Sequence, residues 1–247
     1  MMTQFTRKAL HPLLAGIILL AVGSCRQAPV HPAHPAFEAL DNKRTGLDFS
    51  NTLQPAHGFN VFDYMYFYNG GGVGAGDFNN DGKIDLFFAA SQGPNRLYLN
   101  EGDLHFKEIT AQAMIPEDGG WSTGVSVVDI NNDGLLDIYI CRVGRLGGIP
   151  TTHNQLLICQ GIGKDGIPTY KDEAKAYGLD FCGFSTQAVF FDYDGDGDLD
   201  MYLLNHSIHQ NGTFGPRQQK LATTNPFSGD RLYRNDGNGH LDRKSVV

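Results

Sequence analysis

The chain has 247 residues, a formal net charge of −8, 31 glycines and 41% apolar residues. That length fits one or two domains, and the acidity argues against nucleic acid as a partner. Its four cysteines include no Cys-x-x-Cys, which excludes the usual zinc-ribbon and thioredoxin arrangements.

Residues 1–24 read as a lipoprotein signal peptide. Arg7 and Lys8 give a positive start, and Leu10 to Val22 a short apolar run. Val22-Gly23-Ser24-Cys25 then resembles a bacterial lipobox, in which Cys25 is lipidated and becomes the mature N-terminus. The run is too short, and too interrupted by Pro12, for a membrane-spanning helix. No Asp follows Cys25, a pattern similar to lipoproteins of the outer membrane. The expected location is therefore the bacterial cell envelope, on the periplasmic or the surface side. Residues 25–44 form a Pro/Ala-rich tether. His31 and His34 read as linker residues there, not as a metal pair.

Further on, one nonapeptide is written three times: Asp77–Asp85, Asp129–Asp137 and Asp192–Asp200. Each copy follows Asp-x-(Asp/Asn)-x-Asp-Gly-x-x-Asp. Oxygen side chains fall at positions 1, 3, 5 and 9, and Gly82, Gly134 and Gly197 hold position 6. Calcium takes about six to eight hard oxygen ligands, and a loop alternating ligand and spacer curls several around one ion. The position-7 carbonyls of Lys83, Leu135 and Asp198 would add another. An EF-hand is the obvious rival, and it fails twice. Position 12 holds Phe88, Ile140 and Leu203 instead of Glu. The flanks, such as Val125–Asp129 and Leu136–Ile140, are β-branched and aromatic, which predicts strands and not helices.

The loops belong to a larger repeat. Each precedes an apolar strand: Ile84–Ala90, Leu136–Val143 and Leu199–Asn205. A third segment follows, at Asn95–Gly102, Asn154–Gly161 and Asp230–Gly237. A fourth follows at His105–Thr110 and Thr169–Ala174. Each unit is thus four short strands, with loop-to-loop periods of 52 and 63 residues. Four-stranded units at this period, rich in Gly and aromatics, predict blades of a β-propeller. The fold class is all-β, an incomplete propeller of about three blades.

The combination of Gly72–Gly82, Leu97-Tyr98-x-Asn100 and Trp121-Ser122-Thr123-Gly124 resembles the FG-GAP/VCBS repeat family. More narrowly it is similar to Bacteroidetes-type surface lipoproteins that also carry an ASPIC/UnbV module. The resemblance spans about residues 45–241. It implies an integrin-α-like propeller with structural calcium in the hairpin between the first and second strands of each blade. By position, the implied ligands are Asp77, Asn79, Asp81 and Asp85; Asp129, Asn131, Asp133 and Asp137; and Asp192, Asp194, Asp196 and Asp200. The chain departs from the family in showing no ASPIC/UnbV module and too few blades to close a ring.

Several other stretches carry expectations. Thr45–Thr52 resembles the fourth-strand segments, which predicts a strand whose partners lie beyond residue 247. In Phe59–Tyr68 the alternation places Phe62, Tyr64, Tyr66 and Tyr68 on one strand face, suited to inter-blade packing and less often to sugar stacking. Trp121 and Phe184, each before a Ser-Thr pair, read as core. Cys141 and Cys159 end neighbouring strands, so a disulfide is conceivable, but buried free thiols, with Cys182, are the favoured reading. Asp242–Val247 matches one translation of a sequencing adapter and is set outside the fold.

Loops between the second and third strands lengthen along the chain: the distance from the last loop aspartate to the third-strand motif grows from 10 to 17 to 30 residues. They emerge opposite the acidic hairpins, and long loops on a rigid scaffold are where binding resides. His206, His209, Asn211, Arg217 and Gln218 lie in the longest. No nucleophile motif accompanies them, so no catalytic residue is assigned. The expected function is a calcium-stabilised, lipid-anchored propeller that binds a protein or glycan on its loop face. The rival is the propeller portion of an extracytoplasmic enzyme acting on polysaccharide.

Overall fold

The computed structural model describes residues 37–144, 151–207, 225–237 and 239–246. The chain divides into two units, Met1–Leu40 and Asp41–Val247, and the second contains every strand that follows. It is an incomplete β-propeller of three antiparallel four-stranded blades. Blade 1 comprises β1 (Val73–Gly76), β2 (Asp85–Phe88), β3 (Arg96–Gly102) and β4 (His105–Glu108). Blade 2 comprises β5 (Trp121–Val128), β6 (Asp137–Val143), β7 (Gln155–Ile162) and β8 (Pro168–Asp172). Blade 3 comprises β9 (Ser185–Phe191), β10 (Asp200–Asn205), β11 (Arg231–Asn235) and β12 (Leu241–Val246). No helix among the described residues is long and apolar enough to cross a membrane.

Alternation along the strands gives each blade two apolar faces, and the blades stack through them. Phe87, Leu97 and Leu99 of blade 1 meet Val125, Ile138, Ile140, Leu157 and Cys159 of blade 2. Tyr139, Leu156 and Ile158 on the other side of blade 2 meet Ala188, Met201, Leu203 and Tyr233 of blade 3. Gly74 and Gly76 of β1 are small because a Cβ at either would fall under 3.0 Å from Val127, Val125 or Leu136 of the next blade. Sheets this close leave no room for a methyl group.

Three expectations are corrected. Thr45–Thr52 is not a strand. Asn42–Thr45 is a one-turn helix, α1, capped by the Asp41 carboxylate and ended by Gly46 at φ +73°. The residues after it lie on the outward face of blade 1 through side chains. Phe49 stacks on Phe88 at 4.9 Å, and the Tyr98 hydroxyl donates to Asp48 at 2.6 Å. Asn51 accepts from the Ser91 N–H at 3.0 Å. Its anchors are side chains, so it needs no ladder.

Phe59–Tyr68 is not a strand either. Asn60 turns the chain, its carbonyl accepting from the Tyr64 N–H and its side chain from the Phe62 N–H. Turns replace the period of two, so Phe59, Tyr64 and Phe67 point inward onto Trp121, Val143 and Phe184. Phe62 and Tyr68 are 81% and 61% exposed. Trp121 and Phe184 are buried, as their position predicts.

Residues 242–246 belong to the fold as positioned, because β12 pairs with β11 from Leu241↔Asn235 to Val246↔Arg231. The favoured reading of the cysteines holds: Cys141, Cys159 and Cys182 are free thiols. Cys141 lies one residue past the Ile140↔Gln155 pair, and Cys159 lies two past Leu157↔Ile138 at the other end of the ladder. They also face different cores, so no bond can join them.

Candidate metal centres and the opposite loop face

Each acidic nonapeptide forms the hairpin between the first and second strands of a blade. Its first aspartate is the hub. The Asp77 carboxylate accepts from the N–H groups of Asp81 and Gly82 at 2.9 and 2.7 Å. Asp129 accepts from Asp133 and Gly134 at 3.1 and 2.9 Å. Asp192 accepts from Asp196 and Gly197 at 3.2 and 3.0 Å. The chain can wrap this tightly because position 6 is left-handed, with φ of +84° at Gly82, +83° at Gly134 and +96° at Gly197. Position 4 is left-handed as well: Asn80 (56°), Asn132 (55°) and Gly195 (79°). That second requirement was missed, although Asn and Gly are the residues that tolerate it.

The final aspartates, Asp85, Asp137 and Asp200, are fully buried. One oxygen of each accepts from inside its own hairpin: Phe78 N–H at 2.9 Å, Ile130 N–H at 3.1 Å and Tyr193 N–H at 2.9 Å. The other accepts from the third strand: Asn100 at 2.7 Å, Cys159 at 2.8 Å and Asn235 at 2.9 Å. Burial pushes Asp85 and Asp137 up to about 6, against the pull of those N–H bonds, and neighbouring loop carboxylates add to the rise. The position predicted as a metal ligand is therefore also a brace between hairpin and β3, β7 or β11.

In the third loop, carboxylate oxygens of Asp192, Asp194 and Asp200 lie within 4.8 Å of one another. Ligands at roughly 2.3–2.6 Å from one calcium ion fall within that spacing. The Asp194 carboxyl is held above its ordinary range by desolvation first, then by the charges of Asp196 and Asp200. A cation would relieve that repulsion, and the donors are all hard oxygens, so the residues fit calcium. In the other loops Asn79 and Asn131 replace Asp194, and position 5 is engaged locally. Asp81 accepts from the Lys83 N–H and, at 2.8 Å, from its ammonium. Asp133 accepts from the Leu135 N–H and the Asn131 amide, at 2.8 and 2.9 Å. Among the described residues, Asp196 accepts from the Asp198 N–H, at 3.0 Å. A carboxylate oxygen has a second lone pair, so these bonds leave acceptor capacity for an ion.

The opposite ends of the blades are braced by a different set, which sequence reading did not single out. Asn95, Asn154 and Asp230 accept from the N–H groups of Ala90, Arg142 and Asn205 at 2.8–2.9 Å. Asn95 also takes the Ser122 hydroxyl of blade 2, and Asn154 donates to Ser185 of blade 3. These are links from one blade to the next. The recurrent Asn or Asp opening each third-strand motif was the available signal.

On this face His206 packs between Tyr66, at 4.4 Å between ring centres, and Phe184, at 5.1 Å. Its Nδ1 donates to the Ser207 carbonyl at 2.8 Å, which leaves Nε2 to accept from the Tyr64 hydroxyl at 3.0 Å. Burial holds the imidazole below its ordinary value and hence neutral. His209, Asn211, Arg217 and Gln218 lie outside the described residues, as does Cys25.

Residues 77–140 match the family of FG-GAP-like repeats. The chain is 31% identical to cartilage acidic protein 1 of Homo sapiens over 140 residues, which is 55% of this chain and 20% of that protein. The Xenopus tropicalis protein of the same name is 28% identical over 141 residues, 56% and 21% of the two chains. The chain thus spans about a fifth of the length of the relatives it matches. The match supports an FG-GAP-like array, and with the three blades it implies a propeller-type binding module. Nothing in it bears on the bacterial lipoprotein resemblance or on the ASPIC/UnbV module.

Proposed function

We propose that this chain, which matches the FG-GAP-like repeat over residues 77–140, is a calcium-stabilised binding module of a cell-envelope lipoprotein. It would bind a protein or glycan ligand through the face opposite its acidic hairpins. The observation that carries the reading is the division of labour between the two ends of the blades. One end has three oxygen-lined hairpins; the other has the longer loops and an aromatic cluster in which the turns of residues 59–70 pack onto Trp121, Val143 and Phe184.

Calcium would be held by Asp77, Asn79, Asp81, Asp85 and the Lys83 carbonyl. The second site would use Asp129, Asn131, Asp133, Asp137 and the Leu135 carbonyl. The third would use Asp192, Asp194, Asp196, Asp200 and the Asp198 carbonyl. A bound cation supplies charge neutralisation and rigidity there, and no chemistry. The chain itself preorganises each loop through its hub aspartate and left-handed glycine. Isothermal calorimetry should count three calcium ions, and two in Asp196→Ala; an unchanged count removes the third loop from the assignment.

Lipidation at Cys25 would place the module at the outer membrane, on either its periplasmic or its outer side. Cys25→Ser should then move the protein from the membrane to the soluble fraction, and a variant that stays membrane-bound argues against the anchor. The enzymatic alternative predicts release of new reducing ends from polysaccharide by the purified chain; binding without turnover favours the module.

A further inference from the structure

Beside the aromatic cluster lies a cavity of about 190 Å³, lined by Tyr64, Tyr66, Asn69, Trp121, Thr123 and Thr186. It sits where the turns of residues 59–70 cross the first residues of β5 and β9, on the loop face. Pockets for drug-sized ligands run to roughly 300–1,000 Å³, so this one is sized for a single small ring.

The lining sorts into two kinds of surface. Tyr64, Tyr66 and Trp121 give aromatic walls held by edge-to-face packing, with ring centres 5.8 and 5.9 Å apart. The polar groups are hydroxyls and one amide, and no lining residue is charged at neutral pH. Moreover, the hydroxyl protons are already committed. Thr123 donates to the Ser185 carbonyl at 2.8 Å, and Thr186 to the Leu204 carbonyl at 2.9 Å. Tyr64 donates to His206 Nε2, whose tautomer is fixed by the Ser207 carbonyl. Those three oxygens keep only acceptor lone pairs. A matching ligand must be neutral, ring-shaped, apolar on one face and rich in O–H donors around its edge.

We infer that this cavity is a subsite for a single neutral pyranose unit, stacked on the half-buried Tyr66 ring beside the buried Trp121 and donating hydroxyl protons to Thr123 and Thr186. The inference rests on the loop-face reading and gives it a ligand class. Aromatic stacking supplies affinity for the sugar ring's C–H face, and the missing charge selects against acidic sugars.

Trp121 is the single tryptophan of the chain, so its fluorescence reports on this cavity alone. The purified full chain, in calcium-containing buffer, is titrated with the methyl glycosides of glucose, galactose and mannose, and with glucuronate. At least one neutral glycoside should give a saturable change in Trp121 emission, and glucuronate at least tenfold weaker binding. Tyr66→Ala should abolish the change. Thr186→Val, which removes one acceptor at a half-buried strand position, should weaken binding about tenfold. The valine variant keeps the test valid if Tyr66→Ala fails to fold. No saturable change with any of the three, an equal response to glucuronate, or a response unmoved in Thr186→Val overturns the inference. A glycan array run in parallel separates the two readings. Retention of glycans with Trp121 silent overturns this subsite while leaving loop-face binding intact.

Discussion

At the scale of single residues, legibility depended on whether a position had one physical solution. A left-handed turn between two ligand positions admits little besides Gly, so Gly82, Gly134 and Gly197 announced their geometry in advance. Asn80 and Asn132 share that backbone region, but Asn is common in turns for other reasons, and the requirement passed unseen. His206 was even less legible, because its partner Tyr64 is 142 residues away in sequence. Its burial yields a pH prediction. The folded pKa lies below the ordinary 6.5, so protonation favours the unfolded chain. The stability from the neutral imidazole is complete above about pH 6.5 and is lost as pH falls through the folded value. Tyr64 and Tyr66 face the ring, and burial raises the Tyr64 hydroxyl well above its ordinary value. Asp85 and Asp137, raised to about 6, gain stability as pH falls over the same window in both proteins, so His206 is read from the difference: between about pH 7 and pH 5 the melting temperature of His206→Gln should fall less, or rise more, than that of the parent. Equal slopes in the two proteins would remove His206 as the cause.

At the scale of elements, strands with strict alternation were readable and segments governed by tertiary contact were not. β6 and β7 announced themselves through β-branched and aromatic runs. β12 did not, since Asp242, Arg243 and Lys244 carry no apolar pattern; buried Leu241 and the free edge of β11 place it instead. Residues 45–52 and 59–68 look strand-like, yet Phe49 and Tyr64 find better partners in rings already built by the blades. The last loop aspartate is the element-scale surprise. Asp137→Ala would leave the buried N–H groups of Ile130 and Cys159 without acceptors, at about 1–3 kcal/mol each. Urea unfolding in excess calcium chelator, which removes any metal contribution, should show a loss of about 2–5 kcal/mol. Less than about 1 kcal/mol would mean that the brace is dispensable.

For the whole molecule, the stacking rule between blades was legible and the treatment of its two ends was not. On β6 the positions two and four past the loop aspartate, Tyr139 and Cys141, are sealed by blade 3. Their counterparts on β10 are Tyr202 and Leu204. Leu204 is 46% exposed, and Val189 of β9, paired with Tyr202, is 56% exposed. A face with this pattern matches the two internal interfaces, so its natural occupant is the facing side of another such blade. The isolated chain should therefore self-associate. Val189→Lys with Leu204→Lys should lower its weight-average mass in analytical ultracentrifugation; a mass unchanged by both substitutions would sink the idea. At the first blade matters differ, because Asp48, Phe49 and Asn51 already cover the equivalent outward side. That asymmetry has a meaning in time. A ribosome delivers residues 46–52 ahead of every strand, so the nascent chain carries the cover for blade 1 before blade 1 exists. Each later blade then emerges onto a platform already finished behind it, and during translation only the newest sheet is ever left sticky.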